Sequence, residues 1–270
     1  MEALERQRVY RIAHLTDVHL QPERAAPEGF ARALEHAQSQ SPDVLFMGGD
    51  LIIDSLEADR SRTTELWRLY RSVLDANARV PVEHCLGNHD VWGWNRRLTY
   101  EHEPEFGKRW ALDVLGLERP YRSFDQAGWH FVVLDSTHPL PGDGYTARLD
   151  EEQFEWLAGD LAATPRTTPV LVLSHIPIFA ACPFLHGKNE ETGDWRVPGA
   201  WMHLEVRRIQ ALFAQHPNVK LCLSGHMHLV DQVLYRGITY CCNGAVCGSW
   251  WEGDFLDNPN GYAIVDLYED

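Results

Sequence analysis

Short apolar, β-prone runs alternate along the chain with longer segments of helical period, and nearly every apolar run ends in a cluster of polar residues. Residues 9–15 lead into Thr16-Asp17-Val18-His19, and 44–47 into Gly48-Gly49-Asp50. Residues 80–86 lead into Gly87-Asn88-His89-Asp90, 170–173 into Ser174-His175, and 219–223 into Ser224-Gly225-His226-Met227-His228. Apolar spacing with flanking Pro, Gly or Asp predicts helices at 27–40, 61–76, 103–115, 150–163 and 203–215. The stretch 121–135 reads as two strands around Asp125-Gln126-Ala127-Gly128, and 232–246 and 262–268 are again β-rich. Five strands therefore deliver polar side chains at their carboxyl ends, where open α/β sheets place ligand sites. A second sheet packed on the first, with helices outside both, accommodates all the strands in one α/β domain spanning 1–270.

Composition narrows the class. With 270 residues, 44% hydrophobic and 23% charged, the chain has enough apolar surface for a full core. Its 24 Lys+Arg against 39 Asp+Glu give a net charge of −15, with no basic stripe, which argues against duplex nucleic acid as a partner. No apolar run reaches the roughly 18 to 20 residues of a membrane span, and 1–8 lacks an apolar signal core, so a cytoplasmic location without membrane attachment is expected. The six cysteines (Cys85, Cys182, Cys222, Cys241, Cys242, Cys247) form no CxxC pair and sit in apolar runs, as reduced core thiols do. The oligomeric state stays open, a homodimer included.

The polar clusters share a chemistry. Asp17 and His19, Asp50, Asn88, His175, His226 and His228 offer carboxylates, imidazoles and one amide carbonyl without thiolate, a set suited to divalent ions such as Mn, Fe, Zn or Co. Residues two apart at an extended strand end face the same way, so the DxH and HxH pairs are each expected to point into one crevice. Seven or eight such donors suffice for two ions. Two ions about 3.5–4 Å apart can share a carboxylate, acidify a water and neutralise phosphate oxygens during in-line attack. Gly48, Gly49, Gly87 and Gly225 would supply positive-φ turns and close backbone approach. The segment 176–202, rich in Pro, Gly, His and aromatics, reads as a lid or substrate wall.

The series Asp17-x-His19, Gly49-Asp50, Gly87-Asn88-His89-Asp90, His175 and Gly225-His226-x-His228, with Asp135-Ser136, Gly144 and Gln153-x-x-Trp156-Leu157, resembles the calcineurin-like metallophosphoesterase family in order and over nearly the whole chain. Its DxH first motif is most similar to the bacterial branch containing class III cyclic nucleotide phosphodiesterases. The resemblance implies a four-layer αββα sandwich of two mixed β-sheets and a dinuclear centre. It places Asp17, His19, Asp50 and His228 on one ion and Asp50, Asn88, His175 and His226 on the other, with Asp50 bridging. It also implies that a metal-bridging hydroxide attacks phosphorus while His89, not a ligand, assists the leaving group. Two positions depart from the pattern. The tyrosine that follows the bridging aspartate in purple acid phosphatases is replaced by Leu51, Ile52 and Ile53, which disfavours that branch. The aspartate three residues after the bridge, which orients the histidine in many relatives, is Ile53, with Asp54 one residue further on.

The expected activity is phosphoester hydrolysis on a small molecule, phosphodiester over phosphomonoester, cyclic nucleotides included. The ions would be Mn, Fe or Zn, divalent or mixed-valence. A non-catalytic metal-containing binding module is the alternative of another class, which the presence of His89 together with every ligand position argues against. Substrate contacts are expected from Asn88, Trp92, Trp94, Arg96, Arg97, His186 and Trp250.

Overall fold

The computed structural model describes residues 7–185, 187 and 189–269. The described residues form twelve strands: β1 (Arg8–Leu15), β2 (Val44–Met47), β3 (Val82–His84), β4 (Arg122–Gln126), β5 (Trp129–Leu134), β6 (Thr137–Pro139), β7 (Tyr145–Ala147), β8 (Val170–Ser174), β9 (Val219–Ser224), β10 (Asp231–Tyr235), β11 (Ile238–Cys242) and β12 (Ala263–Tyr268). The α-helices are α1 (Ala26–Ser39), α2 (Arg60–Asn77), α3 (Arg97–Tyr100), α4 (Arg109–Leu115), α5 (Glu151–Ala163), α6 (Asn189–Thr192) and α7 (Val206–Phe213).

Ten strands build two sheets, ordered β12-β1-β2-β3 and β10-β11-β9-β8-β5-β4, and β6 and β7 pair separately. Within the first sheet β1, β2 and β3 are parallel and β12 antiparallel. Within the second, β11, β9, β8 and β5 are parallel, flanked by antiparallel β10 and β4.

Alternation along the strands makes the layers. Ile12, Val44 and Phe46 meet Phe131, Val133, Leu171, Leu173 and Leu223 between the sheets. The intervening residues turn outward: Ala13, Leu15, Leu45 and Met47 pack under Phe30 and Leu34 of α1 and Leu66, Trp67 and Tyr70 of α2. Val132, Leu134, Val170 and Val172 likewise pack under Leu157 and Leu161 of α5 and Ile209 and Phe213 of α7. Strands buried on both faces read as continuous apolar runs, which is why they stand out in the sequence. The result is the expected four-layer αββα sandwich.

Two helix boundaries differ from the sequence reading. The helix expected from residue 103 begins only at Arg109, because Pro104 removes an N–H and Gly107 sits at φ 73°. The helix expected over 203–215 is confined to Val206–Phe213. The stretch 176–202 holds a 3-10 turn at Cys182–Phe184 and the single turn α6.

Candidate metal centre

The polar clusters that follow β1, β2, β3, β8 and β9 converge on one crevice. Asp50 Oδ2 lies 3.5 Å from His19 Nε2 and 3.2 Å from His175 Nε2. Asp17 Oδ1 lies 3.4 Å from His228 Nε2 and 4.0 Å from each of His19 and His175 Nε2. His19 and His228 Nε2 are 3.2 Å apart. The donor atoms of Asp50, His175 and His226 lie within 4.8 Å of one another, as do those of His19, Asp50 and His89. Both aspartates thus stand between imidazoles contributed from different strands.

Backbone carbonyls aim the rings. His175 Nδ1 contacts Gly48 O at 2.9 Å, His228 Nδ1 contacts Gly248 O at 2.7 Å and His19 Nδ1 contacts Ile53 O at 3.3 Å, leaving each Nε2 directed inward. Buried atoms of two more positions, Asn88 Oδ1 and His226 Nδ1, find no hydrogen-bond partner among the described residues. Buried polar atoms are otherwise paired, so an inward-facing set of orphan lone pairs fits cation binding. Burial opposes ionisation of Asp17 and Asp50, but His228 and His175 beside the first, and His175 and His89 beside the second, hold both carboxyls below their ordinary range. Burial lowers His19 and His226 to about 3, so these two imidazoles keep their lone pairs. Cys247 also lies near His19 and His228, but its Sγ meets His228 on the Nδ1 side, 3.9 Å away, behind the ring.

The backbone achieves this convergence at a conformational cost and not in the expected manner. Asp17, His19, Asp50, His226 and His228 all have positive φ, between 44° and 70°, so the DxH and HxH pairs converge through left-handed turns rather than extended strand ends. Non-glycine residues hold such angles at roughly 1–3 kcal/mol each, and they concentrate at functional sites. Among the four flagged glycines only Gly49 has positive φ. The others are there for space: a Cβ on Gly225 would lie 2.0 Å from Thr16 Oγ1 and 2.3 Å from Asp17 Oδ2.

His89 stands at the rim, with its backbone N–H on Asp50 Oδ1 at 2.8 Å and Nδ1 3.1 Å from Asp54 Oδ1. Asp54 is itself held by the N–H groups of Leu56 and Glu57. The one-residue offset from the family pattern therefore still places a carboxylate behind the imidazole. Burial lowers the His89 pKa, but Asp50 and Asp54 outweigh it and the net shift is upward.

The cleft above the donors, about 220 Å³, is lined by His19, Asp50, Asn88, His89, His226 and His228, and further by Tyr145, Trp201, Met227, Trp250 and Phe255. Among the expected substrate contacts, Asn88 and Trp250 are here, Trp250 with its ring centroid 4.7 Å from that of His228. Trp92 is not: it is fully buried, stacked 4.6 Å from Tyr100, with its N–H on Ala58 O. Trp94 is also turned into a core cluster, with Leu56, Val91 and Phe106. Arg97 is engaged by Glu101 and Leu140 O, and exposed Arg96 does not line the cleft. For Trp92, Trp94 and Arg97 local packing and pairing claim the side chain. His186 lies outside the described residues.

Tyr145 carries no motif, and only the fold brings it over the donors; Trp201, from the 176–202 segment expected to form a substrate wall, joins it there. Asp90 stood within the Gly87-Asn88-His89-Asp90 cluster, yet its role is structural: its buried carboxylate accepts from Gly87 N at 2.8 Å and Leu51 N at 2.8 Å.

A four-layer sandwich whose parallel strands deliver an oxygen and nitrogen donor set to one shared crevice is the architecture of a metal-dependent phosphoesterase. The chain belongs to the calcineurin-like phosphoesterase family, whose sequence model matches residues 10–230. It is 24% identical to a 3′,5′-cyclic-nucleotide phosphodiesterase of Nostoc sp., over 96% of this chain and 88% of that one. It is 28% identical to purple acid phosphatase 22 of Arabidopsis thaliana, over 76% of this chain and 42% of that longer protein. The solved structure of a dimetal phosphatase from Danio rerio matches the fold with a TM-score of 0.69 at 17% identity, covering 98% of this chain and 94% of that one. The family fold implies a dinuclear divalent-metal site, and the clustered donors are candidates for it. No helix among the described residues is long and apolar enough to cross a membrane.

Proposed function

We propose that this chain is a dinuclear metal-dependent phosphodiesterase acting on small diesters, cyclic nucleotides among them. Asp17, His19, Asp50 and His228 would hold one ion and Asp50, Asn88, His175 and His226 the other, with Asp50 shared. Divalent ions such as Mn, Fe or Zn, bound there, supply positive charge to the phosphate oxygens and an acidified water. His89, backed by Asp54, keeps a proton on Nδ1 and offers Nε2–H to the leaving alkoxide. Tyr145, whose pKa is raised by burial and by Asp50 and Asp17, stays a neutral hydroxyl donor in the cleft. Trp250 and Phe255 supply apolar surface for the organic part of the ester.

The observation that carries the diester preference is that no Lys or Arg lines the cleft among the described residues. A diester brings one negative charge, whereas a monoester near neutral pH brings close to two and would profit from a side-chain cation. The Nostoc relative's name supports the same reading. The replacement of the purple-phosphatase tyrosine by the fully buried Leu51 and Ile52 speaks against that branch's metal chemistry.

Turnover of bis(p-nitrophenyl) phosphate and p-nitrophenyl phosphate by Mn-loaded protein tests this, followed by cyclic nucleotides. Faster diester cleavage is expected. Equal or faster monoester cleavage would reverse the substrate assignment, and cleavage of neither would end it.

A further inference from the structure

A large cavity lies away from the metal centre, between α1 and edge strand β12. It measures about 970 Å³, and its lining includes Arg24, Arg32, His36 and Gln40 on one side and Trp251 and Tyr262 on the other. Gly29 and Ala33 line it as well, sharing a face of α1 with Arg32 and His36 at helical spacing. Among the described residues no Asp or Glu lines it, although the chain carries a net charge of −15. Arg32 has no hydrogen-bond or ion-pair partner among the described residues, and His36 is met only by the Tyr262 hydroxyl, at 2.8 Å. Cationic side chains, which no described residue brings to the catalytic cleft, are gathered here, beside apolar Val246, Trp251 and Ile264.

One wall of this cavity is continuous with the metal centre. Arg24 donates to the carbonyl of Trp250 at 3.0 Å, and the Trp250 ring lies against His228 in the cleft, tilted by 36°. Trp251, seated in the notch left by Gly29, donates its N–H to the carbonyls of Val18 at 2.9 Å and His19 at 3.2 Å. Trp250 and Trp251 are consecutive non-glycine residues with positive φ, 47° and 70°. Such a pair is held in place only by its surroundings, and here those surroundings include the cavity's own arginine.

We propose that this cavity binds a phosphorylated small molecule with an apolar or aromatic moiety, and that its filling is transmitted to the catalytic cleft through Arg24, Trp250 and Trp251. The phosphate pairs with Arg32 and draws Arg24 from its contacts with Trp250 O and the exposed Glu252 carboxylate, 2.6 Å away. The organic part lies on Trp251 and Ile264. Because the coupling is reciprocal, ester bound in the cleft changes affinity in the cavity by the same factor. The binding half stands on its own, while the coupling half rests on the diesterase reading.

Calorimetric titration of the metal-loaded protein with AMP is the test, AMP being both a phosphate ester and an aromatic ligand. Two sites per chain are expected, one at the metal centre and one in the cavity. Arg32→Glu, on the exposed face of α1, and Gln40→Glu, on the cavity lip, should each weaken the second site, the former by about tenfold or more, with the thermal midpoint of the unliganded protein unchanged. A single site in the unaltered protein, or two undiminished sites in both variants, overturns the binding proposal. AMP should inhibit diester turnover in a mixed pattern that becomes purely competitive in Arg32→Glu. A purely competitive pattern in both proteins overturns the coupling. Absence of diester turnover strikes the diesterase reading alone, since the calorimetric count does not depend on it.

Discussion

The carboxylate of Asp90 accepts the backbone N–H of Asp50 at 3.0 Å, so the loop that carries Asn88 and His89 fixes the loop that carries the shared carboxylate. Because Asp90 also holds Leu51 and Gly87, three buried N–H groups depend on one fully buried side chain. Asp90→Ala leaves all three without their acceptor, at about 1–3 kcal/mol each, for a loss of at least about 3 kcal/mol. Denaturant unfolding should show that loss, and metal analysis a fall in bound ions; full metal content in a stable variant would show that the loops align without Asp90.

Gly87→Ala tests the same junction sterically. The added Cβ would lie 2.1 Å from Asp50 Oδ1 and 2.2 Å from Asp50 N, neither of which has room to yield. A cost of about 1–3 kcal/mol or more, with loss of metal, is expected. Gly116→Ala is the control: it has positive φ, 68°, but open space around it, so only about 1 kcal/mol should be lost and activity should be retained.

His89→Ala should lower kcat by about 10²- to 10⁴-fold while leaving metal content unchanged. Asp50 and Asp54 raise the His89 pKa against burial, so the protonated ring persists above its ordinary value, and activity that needs it falls as pH rises through the raised value. Asp54→Asn removes one of those charges and should shift the descending limb of the kcat profile to lower pH. A limb that stays in place would remove Asp54 from the proton-holding role.

His130 sets a pH dependence of stability at a distance from the cleft. It bridges β4 and α5, with Nδ1 2.7 Å from Asp125 and Nε2 2.9 Å from Asp160, and these partners, Asp160 foremost, raise its pKa. A histidine whose folded pKa is raised contributes stability that is fully present below the unfolded value of about 6.5 and is lost as pH rises through the folded value. The thermal midpoint gap between the protein and His130→Asn should therefore be larger at about pH 5.5 than at about pH 9. An equal gap at both would mean that the ring contributes by packing alone.

Two tryptophans separate recognition from packing. Trp250→Ala should raise KM for aromatic diesters by about tenfold, a stacking loss of ~1.4 kcal/mol, with little change in unfolding midpoint. Trp92→Ala should cost about 3–5 kcal/mol of stability, since it empties a fully buried site. An inverted outcome would reverse the assignment of the two side chains.

The architecture and the donor set were legible in the sequence because both are written locally. Strands buried on two faces must be apolar throughout, and their ends must return to polar residues, so the runs ending at Asp17, Asp50, Asn88, His175 and His226 mark the sheets and the crevice at once. Other features depend on residues far apart in the chain. Asp54 reaches His89 because Asp54 is turned by its own backbone bonds to Leu56 and Glu57, which absorb the one-residue offset. Trp92, two residues beyond Asp90, is claimed by Tyr100, Trp110 and Ala58, whereas Trp250, more than two hundred residues from His19, lies over it. The sequence by itself determined which groups could bind cations and on which strands they sit, since side-chain chemistry and strand period are properties of short segments. Only the tertiary structure decided which aromatic rings meet the cleft, which carboxylate backs His89 and which cations gather beside α1, because a side chain's direction is set by whatever distant surface fills the space around it.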